Sequence, residues 1–404
     1  MRECLTTVAL VLGILNAGCT FITSCPTGTD TGNKAGNGAG GKASTGGSSN
    51  QGGSSSGGGG PAWTINGDWV NVTSNLSEME SECGNMAGLF AKPDEDLLIA
   101  GIAGKGLWGS SDGGDSWVQM GTGKGSATIV NRLTRIVFDP GDSATWYESG
   151  IYHSEADGVY ITNDNGDTFQ PVGHTYHVDA VSIDFNDPQR LTLVAGSHET
   201  SQTLFKTADG GTTWDNIGEG LPTGTDCTHP YLVDAQTYLV SCGGYHQPGE
   251  PQGPVGIYRS TDSGVSWDSV SDVGGGVPVR ASDGTLYTVG AVNTPGLLTR
   301  SDDDGKTWSE ALATGAISNS PPVELPNGLL AALNERRVVV SNDHGTSWTT
   351  VTPDLSFVGG GVAYSNQRKA FYVWHAICGF NGAVLVPTDA IMAFDFDYEA
   401  FPTE

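Results

Sequence analysis

The chain has 404 residues, of which 18 are Lys or Arg and 45 are Asp or Glu, giving a formal net charge of −27 at pH 7. So acidic a surface keeps a domain soluble, repels polyphosphate and excludes nucleic acid as a partner. Acidity of this kind is common in exported proteins and carries no information about substrate.

Residues 1–19 hold one Arg, an apolar stretch from Leu5 to Leu15, and the small pair Ala17-Gly18 ahead of Cys19. That is the pattern of a secretory signal, too short to cross a bilayer as a helix. It resembles a bacterial lipoprotein signal with Cys19 as the lipidated first residue of the mature chain, although Asn16 stands where an aliphatic residue is usual. An ordinary cleaved signal peptide is the alternative. The resemblance implies an exported bacterial lipoprotein, in the outer membrane or periplasm or on the cell surface, touching the membrane only through its anchor. Residues 20–62 read as a linker, since 26–62 are nearly all Gly, Ser, Thr, Asn and Ala and close on four consecutive glycines, Gly57 to Gly60. Such a segment cannot bury enough surface to fold and serves as a leash.

From residue 63 the chain repeats itself. Ser110–Trp117 reads Ser-Ser-Asp-Gly-Gly-Asp-Ser-Trp, and Thr162–Phe169, Thr207–Trp214, Ser260–Trp267, Ser301–Trp308 and Ser341–Trp348 keep the same frame, Ser/Thr-x-Asp-x-Gly-x-Ser/Thr-aromatic. The Asp can accept bonds from nearby backbone N–H groups, and the Gly two positions on supplies a positive φ. The closing aromatic starts the next strand. The motif is thus a hairpin turn that fixes register. A calcium site is a poor reading, because one carboxylate per turn falls far short of the six to eight oxygens that Ca²⁺ usually takes.

Successive motif aspartates, Asp112, Asp164, Asp209, Asp262, Asp303 and Asp343, lie 52, 45, 53, 41 and 40 positions apart. That is the length of a four-stranded propeller blade. Each interval reads as strand, turn, strand, loop, strand, motif, strand. After the sixth motif, residues 357–365, 369–375 and 390–397 supply three more strands, and Gly67-Asp-Trp-Val-Asn-Val72 resembles the strand that follows a motif. The expected fold is therefore all-β, a single seven-bladed β-propeller over 63–404. Residues 63–73 are expected to complete the last blade, so that no sheet edge is left open.

The motif is the Asp-box, or bacterial neuraminidase repeat, and the resemblance covers roughly residues 64–396. The family includes sialidases, xyloglucan-specific endoglucanases, sortilin-type receptors and a photosystem II assembly factor, so it specifies fold rather than activity. Ile136-Val-Phe-Asp-Pro140, Ile183-Asp-Phe-Asn-Asp-Pro188 and Gly158-Val-Tyr160 look more like the endoglucanase and assembly-factor branches than like sialidases. Sialidases need three arginines converging on a carboxylate, and only Arg132, Arg336 and Arg337 are candidates on the right face. Family endoglucanases resemble two propellers clasping a glucan with one catalytic Asp from each, whereas this chain has one propeller.

Of seven cysteines, Cys4 and Cys19 belong to the leader and Cys25 to the linker. Cys227 and Cys242 are symmetric about a turn at Asp234-Ala235 and are expected to bridge a hairpin in an oxidising compartment. Cys83 in the first blade and Cys378 in the seventh would be neighbours in a closed ring, where a bridge would lock the closure.

In this family binding sites lie on the face opposite the boxes. His153, His198, His246 and His375 each follow a second strand on that face. His174, His177 and His229 fall in the connections entering the third and fourth blades, and His344, inside a box, is on the other face. The ligand-binding candidates are therefore Tyr152, His153, His177, His198, His229, His246, His375, Arg132 and Arg336. The catalytic candidates are His153, Glu155, His198, Glu199, Tyr245 and His246, with Asp157 and Glu250 in the same loops. A packing habit of the repeat, each His bonding a neighbouring carbonyl, is the plain alternative. Convergent imidazoles can also hold a divalent transition metal, for which His153, His198, His229 and His246 are candidates. Three readings stay open: a monomeric tethered propeller that binds a glycan or protein ligand, a glycoside hydrolase or polysaccharide lyase, and a metal-dependent variant of either.

Overall fold

The computed structural model describes residues 63–402 apart from 83, 153–156, 244–252, 291–293, 312–319 and 378–382. These residues form an all-β, seven-bladed propeller of four-stranded antiparallel sheets. The first blade contains Met86–Ala91, Leu98–Ile102, Gly106–Ser110 and Val118–Gln119. The second contains Arg132–Phe138, Trp146–Ile151, Gly158–Thr162 and Gln170–Pro171. The third runs Val178–Ile183, Leu193–Ser197, Leu204–Thr207 and Asp215–Asn216, and the fourth Cys227–Leu232, Tyr238–Cys242, Gly256–Ser260 and Asp268–Ser271. The seventh comprises Gly361–Ser365, Ala370–Trp374 and Ile391–Asp395, with Val70–Asn71 pairing on Ile391–Asp395 as its outer strand. A separate two-stranded ribbon joins Glu80–Glu82 to Ala383–Leu385.

Burial follows the ring. Second strands such as Leu98–Ile102, Trp146–Ile151 and Ala370–Trp374 are buried along their whole length, because both faces of a blade pack on neighbouring blades and the apolar run has no solvent side. Outer strands such as Val118–Gln119 are exposed. A separate apolar cluster fills each interface between successive blades, and the cluster joining Val72, Tyr372 and Ile391 to Met86, Leu89 and Leu98 spans the seam between the seventh blade and the first. At about 1.5–3 kcal/mol for each large side chain removed from water, these interfaces dominate the stability of the ring.

The six motif turns join third to fourth strands. In the first, Ser110 Oγ donates to Asp112 Oδ1 at 2.7 Å and accepts from Gly114 N–H at 2.8 Å, while Ser116 N–H donates to Asp112 Oδ1 at 2.9 Å. The other five repeat this network. The Ser116 hydroxyl, which donates to Asp112 Oδ2, leads these bonds in holding the Asp112 carboxyl down to about 2, followed by the Ser116 N–H and the Ser110 hydroxyl. The structure adds a detail that the sequence did not suggest: the residue before the glycine also has positive φ, as at Asn165 (59°), Ser263 (62°), Asp304 (60°) and His344 (56°).

Cys227 and Cys242 pair in register across the fourth blade's first hairpin and are disulfide-bonded. Cys83 and Cys378 lie outside the described residues, as do Cys4, Cys19, Cys25 and the proposed signal and linker. Among several buried carboxyls, one is wholly enclosed within a blade. Glu148 sits in the second strand of blade two, accepts from Asn131 Nδ2 at 3.0 Å, and has no partner for Oε2 among the described residues. Burial pushes it up to about 8, so it is a neutral acid at physiological pH.

Candidate functional site

The innermost strands of blades one to four share one irregularity. Each carries a register shift near its start, which leaves Ala87, Thr134, Asp179 and Thr228 as the extra residue of a bulge. Bulges re-aim side chains, and in blade three the re-aimed residue is an aspartate, 5% exposed.

Asp179 holds His198, which follows the adjacent second strand. Its two oxygens lie 2.9 and 3.0 Å from His198 Nδ1. On the other side of the ring, His198 Nε2 lies 2.6 Å from the Tyr152 hydroxyl, which donates to Glu199 Oε1 at 3.1 Å. Residues from two neighbouring blades thus form one hydrogen-bonded chain, Asp179–His198–Tyr152–Glu199. Burial disfavours the imidazolium of His198, but the bond and charge of Asp179, with the charges of Glu199 and Asp226, outweigh it and hold the imidazole above its ordinary range. Protonated His198 donates through both nitrogens, with Tyr152 passing its own proton towards Glu199. Burial, and then the charge of Glu199, raise the Tyr152 phenol, so it acts as a neutral donor.

Other groups close around this chain. His177 Nε2 is 3.2 Å from Asp157 Oδ2. The rings of His177 and His198 meet Tyr152 edge-on at 5.7 and 5.0 Å, and the Arg132 guanidinium stands 6.0 Å from the Tyr152 ring centre. Asp226, in the connection entering blade four, is pushed up to about 7 by burial and by the charge of Asp179, with Glu199 adding to the shift and His198 opposing it. A carboxyl that changes charge near neutrality, beside an imidazole that favours its cationic form, is the pairing on which acid–base chemistry depends.

Backbone conformation points to the same place. Tyr152, His177 and Glu199 have φ of 67°, 52° and 52°. Left-handed geometry costs a non-glycine residue about 1 kcal/mol or more. Three such residues converge on this cluster, held by the groups around them.

Of the residues expected from the sequence, Tyr152, His177, His198, Glu199 and Arg132 are gathered here. His229 is close, but it lies within the innermost strand of blade four rather than in the connection before it, since the bulge at Thr228 brings pairing to its very start. His174 is exposed in the connection entering blade three. His375 is elsewhere: it stacks on Phe357 with ring centres 4.1 Å apart, and burial lowers its basicity. Arg336 is turned onto the Leu355 carbonyl at 2.6 Å. His344 pairs with Asp283 at 2.9 Å on the box face. His153, Glu155, Tyr245, His246 and Glu250 lie outside the described residues. Among the described residues, no group of three His, Cys, Asp or Glu is arranged to hold a metal ion. The residues that sequence reasoning missed are Asp179 and Asp226. The signal that could have found Asp179 is its place two residues after His177, where blades two and four carry threonines.

No family model matches the chain. It is 26% identical over 249 residues to a xyloglucanase from a Paenibacillus species, covering 56% of this chain and 21% of that protein. It is 24% identical over 259 residues to a xyloglucanase from Hypocrea jecorina, covering 58% of this chain and 27% of that one. Among solved structures, the GH74 xyloglucanase from Xanthomonas campestris matches with a TM-score of 0.50 at 17% identity, over 80% of this chain and 55% of that chain. That likeness is one of fold. The chain spans about a quarter of the length of the two curated relatives.

Proposed function

We propose that this chain is an exported, lipid-anchored, carbohydrate-active propeller that cleaves a polysaccharide at the rim of blades two to four. The observation that carries the reading is Asp226, a carboxyl near neutrality whose charge feels that of Glu199, beside a site built on the Tyr152–Glu199 hydrogen bond and rich in aromatic groups. In this reading Asp226 gives its proton to the leaving glycosidic oxygen as the C–O bond breaks. Glu199 takes a proton from the water that adds to the anomeric carbon. His198, fixed by Asp179, and Tyr152 orient Glu199 and the sugar hydroxyls. The sequence similarity to xyloglucanases supports a glycan as substrate, and the leader ending at Cys19 supports export. A bound metal is not needed for this chemistry.

The test is product release from a panel of neutral and acidic polysaccharides by the wild type, Asp226→Asn and Glu199→Gln. The expected result is a loss of at least ~100-fold in each variant. With an aryl glycoside of low leaving-group pKa, the loss for Asp226→Asn should shrink markedly. Turnover unchanged by both substitutions would sink the assignment. A second reading, glycan binding without turnover, is favoured by the aromatic and donor groups gathered at the rim, Tyr152, His177 and Arg132, which can hold a sugar with no acid–base step. Wild-type affinity for a polysaccharide that is never cleaved would select it.

A further inference from the structure

The seventh blade closes differently from the other six, and the difference leaves a cavity on the box face. Elsewhere an Asp-box turn joins the third strand to the outer one. Here the outer strand comes from the other end of the propeller, so the corner is made of two chain segments, residues 66–68 arriving and Asp395 leaving. Between that corner and the box of blade one lies a cavity of about 580 Å³. Five aspartates, Asp68, Asp96, Asp112, Asp115 and Asp395, line it against a single cation, Arg368. That cation is already committed: Nε and Nη2 donate to the two oxygens of Asp96 at 2.7 Å each, and Nη2 also to the Ser111 carbonyl at 3.1 Å. Asp112 is likewise taken up by its own turn. Asp68, Asp115 and Asp395 line the cavity with carboxylates that bond no described residue.

Exposed aspartates alone are ordinary on so acidic a chain, and a second observation gives these their meaning. Tyr372, in the second strand of blade seven, is only 2% exposed yet lines the same cavity, and its hydroxyl bonds no described residue. A buried hydroxyl costs free energy unless something bonds it. Burial, opposed by the charge of Arg368 and reinforced by those of Asp96, Asp395 and Asp115, pushes that phenol up to about 12. It therefore keeps its proton, and its oxygen is free to accept from a cationic N–H. The carboxylates stand around the wall rather than around one point: among the described residues none is grouped to hold a metal ion. The same wall carries the apolar side chains Val70, Val72 and Phe394. Separated negative charges with apolar surface among them suit a chain of methylenes that bears several ammonium groups.

We propose that this cavity binds a linear aliphatic polyamine, its ammonium groups on Asp68, Asp115 and Asp395, its stem along Val70 and Val72, and one N–H donated to the Tyr372 hydroxyl. The site lies on the face opposite the rim of blades two to four and stands independently of the function proposed above. The net charge of −27 draws polycations to the surface in general, while the cavity and its buried hydroxyl select one of them.

The test is calorimetric titration of the full-length purified protein with spermidine, with magnesium chloride and tetralysine compared at matched ionic strength. The wild type is expected to take up a single saturable equivalent of spermidine, more tightly than either comparison cation. Tyr372→Phe, which keeps the ring and removes the hydroxyl, should weaken that binding about tenfold, and Asp68→Asn combined with Asp395→Asn at least about tenfold. Asp268→Asn, which removes an exposed carboxylate from the outer strand of blade four, should leave it unchanged. Because Tyr372→Phe removes a buried hydroxyl that nothing bonds, it is expected to resist urea at least as well as the wild type, so a lost signal is not a folding defect. Unchanged spermidine affinity in either test variant, or wild-type binding no tighter than that of magnesium, would overturn the proposal. Tetralysine bound more tightly than spermidine would overturn it too, in favour of a basic peptide as the ligand.

Discussion

Glu148 shows how single ionisable groups set the pH response of this domain. Its folded carboxyl is raised to about 8 by burial, so between its unfolded value near 4.5 and that limit the folded state holds a proton that the unfolded state releases. Stability from this group is therefore full in acid and declines as pH rises. Glu148→Gln keeps the acceptor for Asn131 without the titration. The variant should match the wild type in unfolding free energy at pH 4.5 and exceed it by roughly 4 kcal/mol at pH 8, both read from urea denaturation. A difference that does not change with pH would contradict this. The motif aspartates work in the opposite sense. Asp262, held down to about 2 by Ser266 and Ser260, stabilises the fold above its unfolded value near 3.8, and that contribution is lost as pH falls towards 2. Tyr152 belongs to the site rather than to the core. Tyr152→Phe, which removes the hydroxyl bonded to both His198 and Glu199 and leaves only their direct contact at 3.4 Å, should reduce turnover or glycan affinity about tenfold with a stability change under ~1 kcal/mol, read by kinetics beside urea denaturation.

At the level of elements, the hairpin turns were legible because their chemistry is local. Each needs only an Asp, a Gly two residues on and a hydroxyl at either end, and these stand within eight positions of sequence. The Cys227–Cys242 bridge was legible for the same reason, both cysteines flanking one turn. It closes a loop of 15 residues, for which the chain-entropy model gives about 3 kcal/mol. Reduction, or the double Ser variant, should lower the denaturation free energy by about that amount, and a change below ~0.5 kcal/mol would refute the estimate. The bulges were not legible. Nothing in Val178-Asp-Ala announces that Asp179 leaves the pleat to meet His198, since the slip shows only in pairing with Leu193–Ser197. The meeting of Tyr152, His198 and Asp226 is likewise a matter of blade packing between residues 28 and more positions apart. Histidine placement marked the region, while the carboxylates that give it chemical character emerged only from three dimensions.

For the whole molecule, the seam matters most. Val70–Asn71 pairs with Ile391–Asp395, Trp69 packs on Phe394 at 5.4 Å and donates to the Pro353 carbonyl at 2.9 Å, and the Trp117 indole donates to Val72 at 3.0 Å. These contacts tie the two ends of the propeller together, so damage there should be felt by every blade. Trp69→Ala is expected to cost about 2 kcal/mol while unfolding remains a single transition by both fluorescence and circular dichroism. Two separated transitions would mean that the blades do not melt as one. The ring in turn holds blades two to four rigidly enough to keep three strained residues and a carboxyl that titrates near neutrality at one rim. The most direct measurement of what that rim does is the pH dependence of kcat/KM on a cleaved polysaccharide. An alkaline limb near 7, set by Asp226 and absent from the residual activity of Asp226→Asn, is the predicted result. A profile flat through neutrality, or a limb that persists in the variant, would contradict the assignment.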